Sequence, residues 1–254
     1  GRSIKIGNDL PLAEYIEDKI VNDKYSPEAA LVAVAQSGIE FSTTISVRTL
    51  YRYIDNGIFL KLTNKDLPVK GKKKKHNKKV QTQKRAAAGE SIENRPEEVK
   101  SRETFGHWEM DTVYSGKKKS TTALLVLTER KTRNEKIILV PNRRAETTVR
   151  ALDAIERKLG AEKFGTIYKS ITVDNGTEFA MADEIERSCL IDGQRTKVYY
   201  CHPYSSWERG SNENVNGMIR RKHPKGTDFS KVTPEEIAAT EAWINNYPRK
   251  IHGY

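Results

Sequence analysis

A chain of 254 residues can hold one large domain or two of ordinary size, and it can bury a core. Its formal charge of +11, with 31% charged residues, favours a polyanionic partner: nucleic acid first, an acidic membrane surface second. No apolar run approaches the roughly 20 residues of a membrane span, and no secretory leader opens the chain. Cys189 and Cys201 lack the paired spacing of a zinc module. These absences favour a cytoplasmic protein with two reduced, partly buried thiols. The first residue is Gly1 rather than Met, so the chain reads as a fragment or a processed form.

Residues 1–60 read as short helices. Leu12, Tyr15, Ile16 and Ile20 recur at helical spacing over 12–21. Ser26-Pro27-Glu28 is an N-cap followed by proline at the first helical position, and the helix it opens stops near Gly38. A third helix is predicted over 47–55, ending at Asn56-Gly57. Val47, Leu50 and Ile54 form its apolar face, with Arg48, Thr49 and Arg52 off that face. The expectation is a helix-turn-helix DNA-binding domain whose third helix reads DNA.

Residues 61–103 are poor in large apolar groups. Within 67–89 lie nine basic residues and no acid: Lys70, Lys72, Lys73, Lys74, Lys75, Lys78, Lys79, Lys84 and Arg85. Removing those nine charges from +11 leaves +2 for the rest of the chain. The segment is expected to be a tether that does not fold alone and that follows a phosphate backbone.

Residues 104–254 change pattern. Strands are predicted over 108–114, 121–128 and 136–140 as a meander. A helix follows, with Val149, Leu152, Ile155 and Leu159 on one stripe and Gly160 at its end. A short buried strand covers 171–173, a helix 182–190, and a fifth strand 197–201. A helix from Ser211 runs until Pro224. The last begins at Thr233-Pro234-Glu235-Glu236, a capping box. A meander followed by alternating helices and strands predicts an α/β domain: a mixed five-stranded sheet with helices on its faces.

Three acidic residues stand in distinct settings. Asp111 lies on the first strand, Asp174 ends the fourth, and Glu213 opens the helix after the fifth. Carboxylates from these positions would meet at one end of the sheet. That donor set suits two Mg²⁺ ions roughly 3.5–4 Å apart, which supply what phosphodiester chemistry needs. Singly, each acid has a plainer reading: an edge-strand acid, a turn aspartate and a helix N-terminal glutamate. Two competitors stay open at this point. Glu109 shares a strand face with Asp111, as an auxiliary ligand or an ion-pair partner. Glu208 precedes the helix that carries Glu213.

At these residues the chain resembles transposases of the insertion-sequence-30 family. The resemblance covers nearly the whole chain. It is carried by Phe105-Gly106-His107-Trp108-Glu109-Met110-Asp111-Thr112-Val113, by Asp174-Asn175-Gly176-Thr177-Glu178-Phe179, and by the stretch from His202 to Gly217 that contains Asn212-Glu213-Asn214. Ser46 to Arg52 also resembles the helix that precedes the family's basic linker. The resemblance implies an RNase H-like, integrase-type core and a DDE triad of Asp111, Asp174 and Glu213, and it favours Glu213 over Glu208. The interval from Asp174 to Glu213 is longer than the family's, and residues 191–194 read as a surface insertion. The resemblance further implies another helix-turn-helix ahead of this region and sequence beyond the last helix.

The expected activity is metal-dependent nicking at transposon ends and strand transfer into target DNA. Mg²⁺ is the expected cofactor, with Mn²⁺ able to substitute. The expected partners are double-stranded DNA (terminal inverted repeats and target) and a second copy of the chain, at the bacterial nucleoid. DNA contacts are expected from Arg48, Thr49, Arg52, Lys72, Lys73, Lys74, Lys75, Lys78, Lys79, Arg220 and Arg221. His202, Asn212 and Asn216 are candidates to hold DNA or orient groups nearby. The alternatives are an RNase H-type nuclease without strand transfer and a non-catalytic DNA-binding regulator.

Overall fold

The computed structural model describes residues 4–68, 89–116, 119–202, 208, 210–250 and 253, with backbone alone at 210, 211 and 213. The chain divides into two compact units, Gly1–Lys79 with Tyr247–Tyr254, and Val80–Asn246. No helix among the described residues is long and apolar enough to cross a membrane.

The first unit holds α1 (Leu10–Val21), α2 (Pro27–Gln36) and α3 (Val47–Asp55). Each helix starts where a side-chain oxygen accepts an orphan backbone N–H: Asp9 from Leu12, Ser26 from Ala29 and Ser46 from Thr49. Leu12, Ile16, Ile20, Ala30, Leu50, Tyr53 and Ile54 close the core. The sequence places these helices well, but the short turn of a helix-turn-helix, three or four residues, is not there. Residues 37–46 separate α2 from α3. The second oxygen of Asp9 holds that connection, accepting from Ser42 Oγ and the Thr43 N–H, each at 2.9 Å.

The tether also differs from expectation. Phe59, Leu62 and Leu67 belong to the helical core, and Glu17 accepts the Lys61 and Leu62 N–H groups at 2.6 and 3.1 Å. Residues 61–68 are therefore folded. At the other end, β1 (Glu90–Ser91) and α4 (Glu97–Ser101) belong to the second unit, where Ile92 and Val99 are buried. Lys72, Lys73, Lys74, Lys75, Lys78 and Lys79 lie outside the described residues.

The second unit continues with β2 (His107–Tyr114), β3 (Ala123–Glu129), β4 (Glu135–Val140), α5 (Ala145–Leu159), α6 (Ala161–Ile167), β5 (Ser170–Val173), α7 (Ala182–Glu186), β6 (Lys197–Tyr200), α8 (Gly210–Lys222) and α9 (Pro234–Asn245). The sheet has six strands rather than five, ordered β1-β6-β5-β2-β3-β4. The added strand is β1, two residues paired parallel to β6 at the edge, too short to show any periodicity. β2, β3 and β4 are antiparallel, while β5 and β6 run parallel to β2. All seven β3 residues are buried, because helices cover both faces of a central strand.

Alternation along β2 divides the two faces. Trp108 and Met110 enter the main core with Leu125, Leu127, Ile171, Val173 and Val198, against Val149 and Leu152 of α5 and Phe164 of α6. Glu109 and Asp111 take the other face, where α8 packs on β2 and β3, and α9 on β4. The helix expected over 182–190 stops at Glu186. Arg187 turns extended and pairs with Gln194, making a small hairpin. Ser188 and Cys189, within this hairpin, are held by Glu156 of α5.

Candidate active site

The parallel pairing of β2 with β5 sets the geometry. Glu109 is level with Thr172, so two residues further along both chains come Asp111 and Asp174. Asp174 follows the last residue of β5, and Asp111 lies on the part of β2 beyond the β5 ladder. Both are half-buried. Asp111 Oδ1 accepts the Thr112 N–H at 2.9 Å, and Asp111 Oδ2 accepts Asn216 Nδ2 of α8 at 2.8 Å. Asp174 Oδ1 accepts the Gly176 N–H at 2.9 Å in the turn after β5.

At Gly176 the turn brings two carboxylates close to the backbone. A Cβ at this position would lie 2.7 Å from Glu178 Oε2 and 2.9 Å from Asp174 Oδ1. Glu178 is thus drawn against the site, buried, accepting Thr112 Oγ1 at 2.7 Å, with Arg143 Nη1 at 3.8 Å. Glu178 escaped the sequence reading as a site residue. Its signal was present in the Asp-Asn-Gly-Thr-Glu spacing, where a small turn returns the glutamate to the aspartate.

Glu213 lies on α8, one helical turn before Asn216 and therefore along the same side of the helix. Its carboxylate is outside the described atoms. Both competitors are committed elsewhere. Glu109 is wholly buried and pairs with Arg130 Nη1, whose Nε donates to Val99 O at 3.2 Å. Burial pulls the Arg130 guanidinium below its usual range, and the Glu109 charge opposes that shift. Glu208 accepts the His202 N–H at 2.9 Å and meets His202 Nδ1 at 2.7 Å. That hydrogen bond raises the His202 pKa above its ordinary value.

Hard oxygen donors of this kind suit a divalent cation. Asn175 Oδ1 and Asn216 Oδ1, one beside each aspartate, are buried and accept no hydrogen bond from the described residues. Asp111, Asp174 and Glu178 do not form the tightest acidic cluster. Among the described residues, the one group whose ligand atoms all lie within 4.8 Å is Asp153, Glu156 and Cys189. That group already holds a cation. Arg195 Nη1 reaches Asp153 Oδ1 at 2.5 Å and Glu156 Oε2 at 3.1 Å, with its side chain fully buried. Glu156 also accepts the Cys189 N–H at 2.9 Å and the Ser188 hydroxyl. These contacts anchor the loop that contains the expected insertion at 191–194, whose Ile191 is exposed.

The other expected DNA contacts are dispersed. Arg48 and Arg52 are exposed on α3, and Thr49 is tied to Ser46. Arg220 is not a free surface cation. It donates to Tyr114 O at 2.8 Å and lies over the Phe229 ring, and burial lowers its pKa. Arg221 is half-buried. Asn212 is buried on α8. Cys189 and Cys201 are free thiols, half-buried and buried.

Residues 101–206 match the family model described as integrase core domain. A probable transposase of the insertion-like element IS1161 from Streptococcus salivarius is 40% identical over 210 residues, covering 82% of this chain and 56% of that protein. The transposase of insertion sequence element IS4351 from Bacteroides fragilis is 36% identical over 239 residues, covering 93% of this chain and 68% of that protein. The chain belongs to the insertion-sequence-30 type of DDE transposases. Transposase InsI of element IS30A from Escherichia coli K12 is 38% identical over 162 residues, 64% of this chain and 39% of that protein. The chain thus spans from 39% to 68% of the lengths of these relatives. Its mixed sheet with flanking helices is the RNase H-like integrase fold, and a core of that type implies a divalent metal.

Proposed function

We propose that this chain cuts phosphodiesters at transposon ends and joins the freed strand to target DNA, using Asp111, Asp174 and Glu213. The observation that supports the reading is the β2–β5 register, in which Glu109 is level with Thr172, two residues before Asp111 and Asp174, with α8, which bears Glu213, packed on β2. Two Mg²⁺ ions, for which Mn²⁺ would substitute, would supply charge neutralisation and an activated nucleophile when bound between these carboxylates. Asn216 holds the Asp111 carboxylate in one orientation, and the Gly176 N–H does the same for Asp174. Glu178, bonded to Thr112, keeps the turn after Asp174 closed onto β2.

The chemistry balances without a covalent protein intermediate. In nicking, a water oxygen bonds to phosphorus and the 3′ oxygen leaves with a proton. In joining, that 3′-hydroxyl oxygen bonds to a target phosphorus and displaces the target strand's own 3′ oxygen. One phosphodiester is exchanged for another, so the joining step draws on no external energy source. DNA is proposed to be held by α3, through Arg48 and Arg52, and by the basic run from Lys72 to Lys79, with two copies of the chain bringing two ends together. A soluble setting at the bacterial nucleoid follows from a DNA substrate.

The test is a nicking and joining assay on duplexes carrying the element's ends, in Mg²⁺. Wild type should nick and, when given 3′-hydroxyl ends, produce joined strands. Asp111→Asn and Asp174→Asn should do neither while still binding DNA. Nicking without joined products would assign an RNase H-type nuclease instead. Nicking undiminished in either variant would remove the triad.

A further inference from the structure

β2 outruns its neighbour. β5 ends at Val173, level with Met110, so Asp111 to Tyr114 extend beyond it, paired there with β3 alone. The last residue of this overhang, Tyr114, is an aromatic side chain left 56% exposed, one of few large apolar groups so placed among the described residues. It lies three positions after Asp111, about 10 Å along a strand, and by alternation it takes the other face, where Thr112 meets the Glu178 of the turn that follows Asp174. That reach covers a few nucleotides of a DNA strand at roughly 3.4 Å each.

The ring is held rather than loose. The Arg143 guanidinium lies over it, 4.8 Å from its centroid. Arg143 is in turn directed by Glu178, at 3.8 Å, the same carboxylate that accepts from Thr112. The Tyr114 backbone is fixed from the other side by Arg220, which donates to its carbonyl oxygen at 2.8 Å. The turn that presents Arg143 is closed by Asn142, whose Oδ1 accepts Arg144 N–H at 3.0 Å and Thr147 Oγ1 at 2.7 Å. Arg143 itself keeps 43% of its side chain exposed, and Arg144 is exposed beside it. Cation and ring therefore share one rigid support at the end of the sheet, and no described residue stacks on the ring's other face.

We propose that Tyr114, backed by Arg143, is a stacking platform for an unpaired nucleobase of the DNA strand next to the scissile phosphate. This rests on the proposed phosphodiester activity at Asp111 and deepens it by naming where the substrate strand is gripped. An aromatic face accepts any base, and a preset ring loses little freedom on binding. A neighbouring guanidinium adds attraction to the adjoining phosphate. Such a platform prefers frayed or single-stranded ends over intact duplex, and tolerates any base at the gripped position.

The test uses the full chain and two probes: a duplex with a short 3′ overhang carrying 2-aminopurine one to three nucleotides from the end, and the same duplex made blunt. Tyr114→Ala should weaken overhang binding roughly 5- to 100-fold, abolish the quenching of 2-aminopurine and leave the blunt duplex bound as before. Tyr114→Phe should restore both signals to within about twofold, because the ring and not the hydroxyl stacks. Unchanged overhang affinity in Tyr114→Ala, or equal loss in Tyr114→Phe, overturns the platform. The nicking assay with Asp111→Asn runs in parallel. Loss of nicking in that variant together with a silent Tyr114→Ala sinks the platform and keeps the active site. Nicking by Asp111→Asn sinks the activity instead, whatever Tyr114 does.

Discussion

Asp153 with Glu156 on α5, and Asp111 with Asp174 at the sheet end, are both carboxylate pairs held within one folded unit. The first pair is the tighter and the more deeply buried, and it carries its own cation: Arg195 meets both acids, and its Nε donates to Ile185 O at 2.9 Å. The second pair is half-buried and is held by amides, from Asn216, Thr112 and Gly176, each directed at one oxygen. A guanidinium neutralises the carboxylates it meets. Proximity of acids is therefore a poor guide to a metal site where a buried cation already balances their charge. The same criterion separates Glu109 from Asp111. They share a strand face, but Arg130 takes the first.

The comparison breaks most readily at Asp111. Asp111→Asn should lower the nicking rate by about a thousandfold or more, several kcal/mol of transition-state stabilisation, while the thermal midpoint holds or rises. Asp153→Asn should leave nicking per folded molecule within a few fold, measured in the same gel assay. Equal losses in the two variants would erase the distinction. Next comes Arg195→Met. It strands the buried Glu156 and leaves Asp153 only the longer contacts to Arg157 and Arg187, at 3.8 and 3.9 Å, so unfolding should be easier by about 3 kcal/mol, read by denaturant titration, with nicking by the folded fraction retained. A loss below about 1 kcal/mol would mean Arg195 is not the cluster's cation.

Asn216→Ala should reduce nicking by roughly 10- to 100-fold, as expected for a group that orients a ligand, with little change in stability. An unaltered rate would reduce its bond to Asp111 to an incidental contact. The smallest effect concerns Glu208. Glu208→Gln should keep nicking within a few fold, where Glu213→Gln loses it. The Glu208 hydrogen bond raises the His202 pKa in the folded chain. Its contribution is thus fully present below the ordinary imidazole value, about 6.5, and is lost as pH rises through the raised value. The difference in melting temperature between wild type and Glu208→Gln should be widest in mild acid and should close in alkali. A gap independent of pH would exclude protonated His202 from that contact.

Much of the fold was legible because the elements carry strong periodic signals. The α5 stripe, the helix N-caps and the buried runs of β3 and β5 are strong enough to be read. Asp111 and Asp174 could be nominated because each adjoins such a strand. What escaped depends on partners remote in sequence. β1 has two residues and no period. Residues 187–190 were expected to be helical from their local sequence, yet Glu156, 32 positions earlier, takes the Ser188 hydroxyl and so favours the extended hairpin. Glu109 and Asp111 were inseparable by spacing, since alternation gives them one face, and Arg130 distinguishes them only once β3 has turned back. Glu178 lay in plain view within a motif, but its role needs Thr112, 66 positions away.

In the proposed active site the carboxylates at the end of β2 and β5 hold divalent cations, and those on α5 do not. Manganese binding to the DNA-bound chain, followed by electron paramagnetic resonance, addresses this directly. Wild type and Asp153→Asn should take up Mn²⁺ alike, while Asp111→Asn and Asp174→Asn should lose the bound signal. Retained binding in the Asp111 and Asp174 variants, or its loss in Asp153→Asn, would contradict the account.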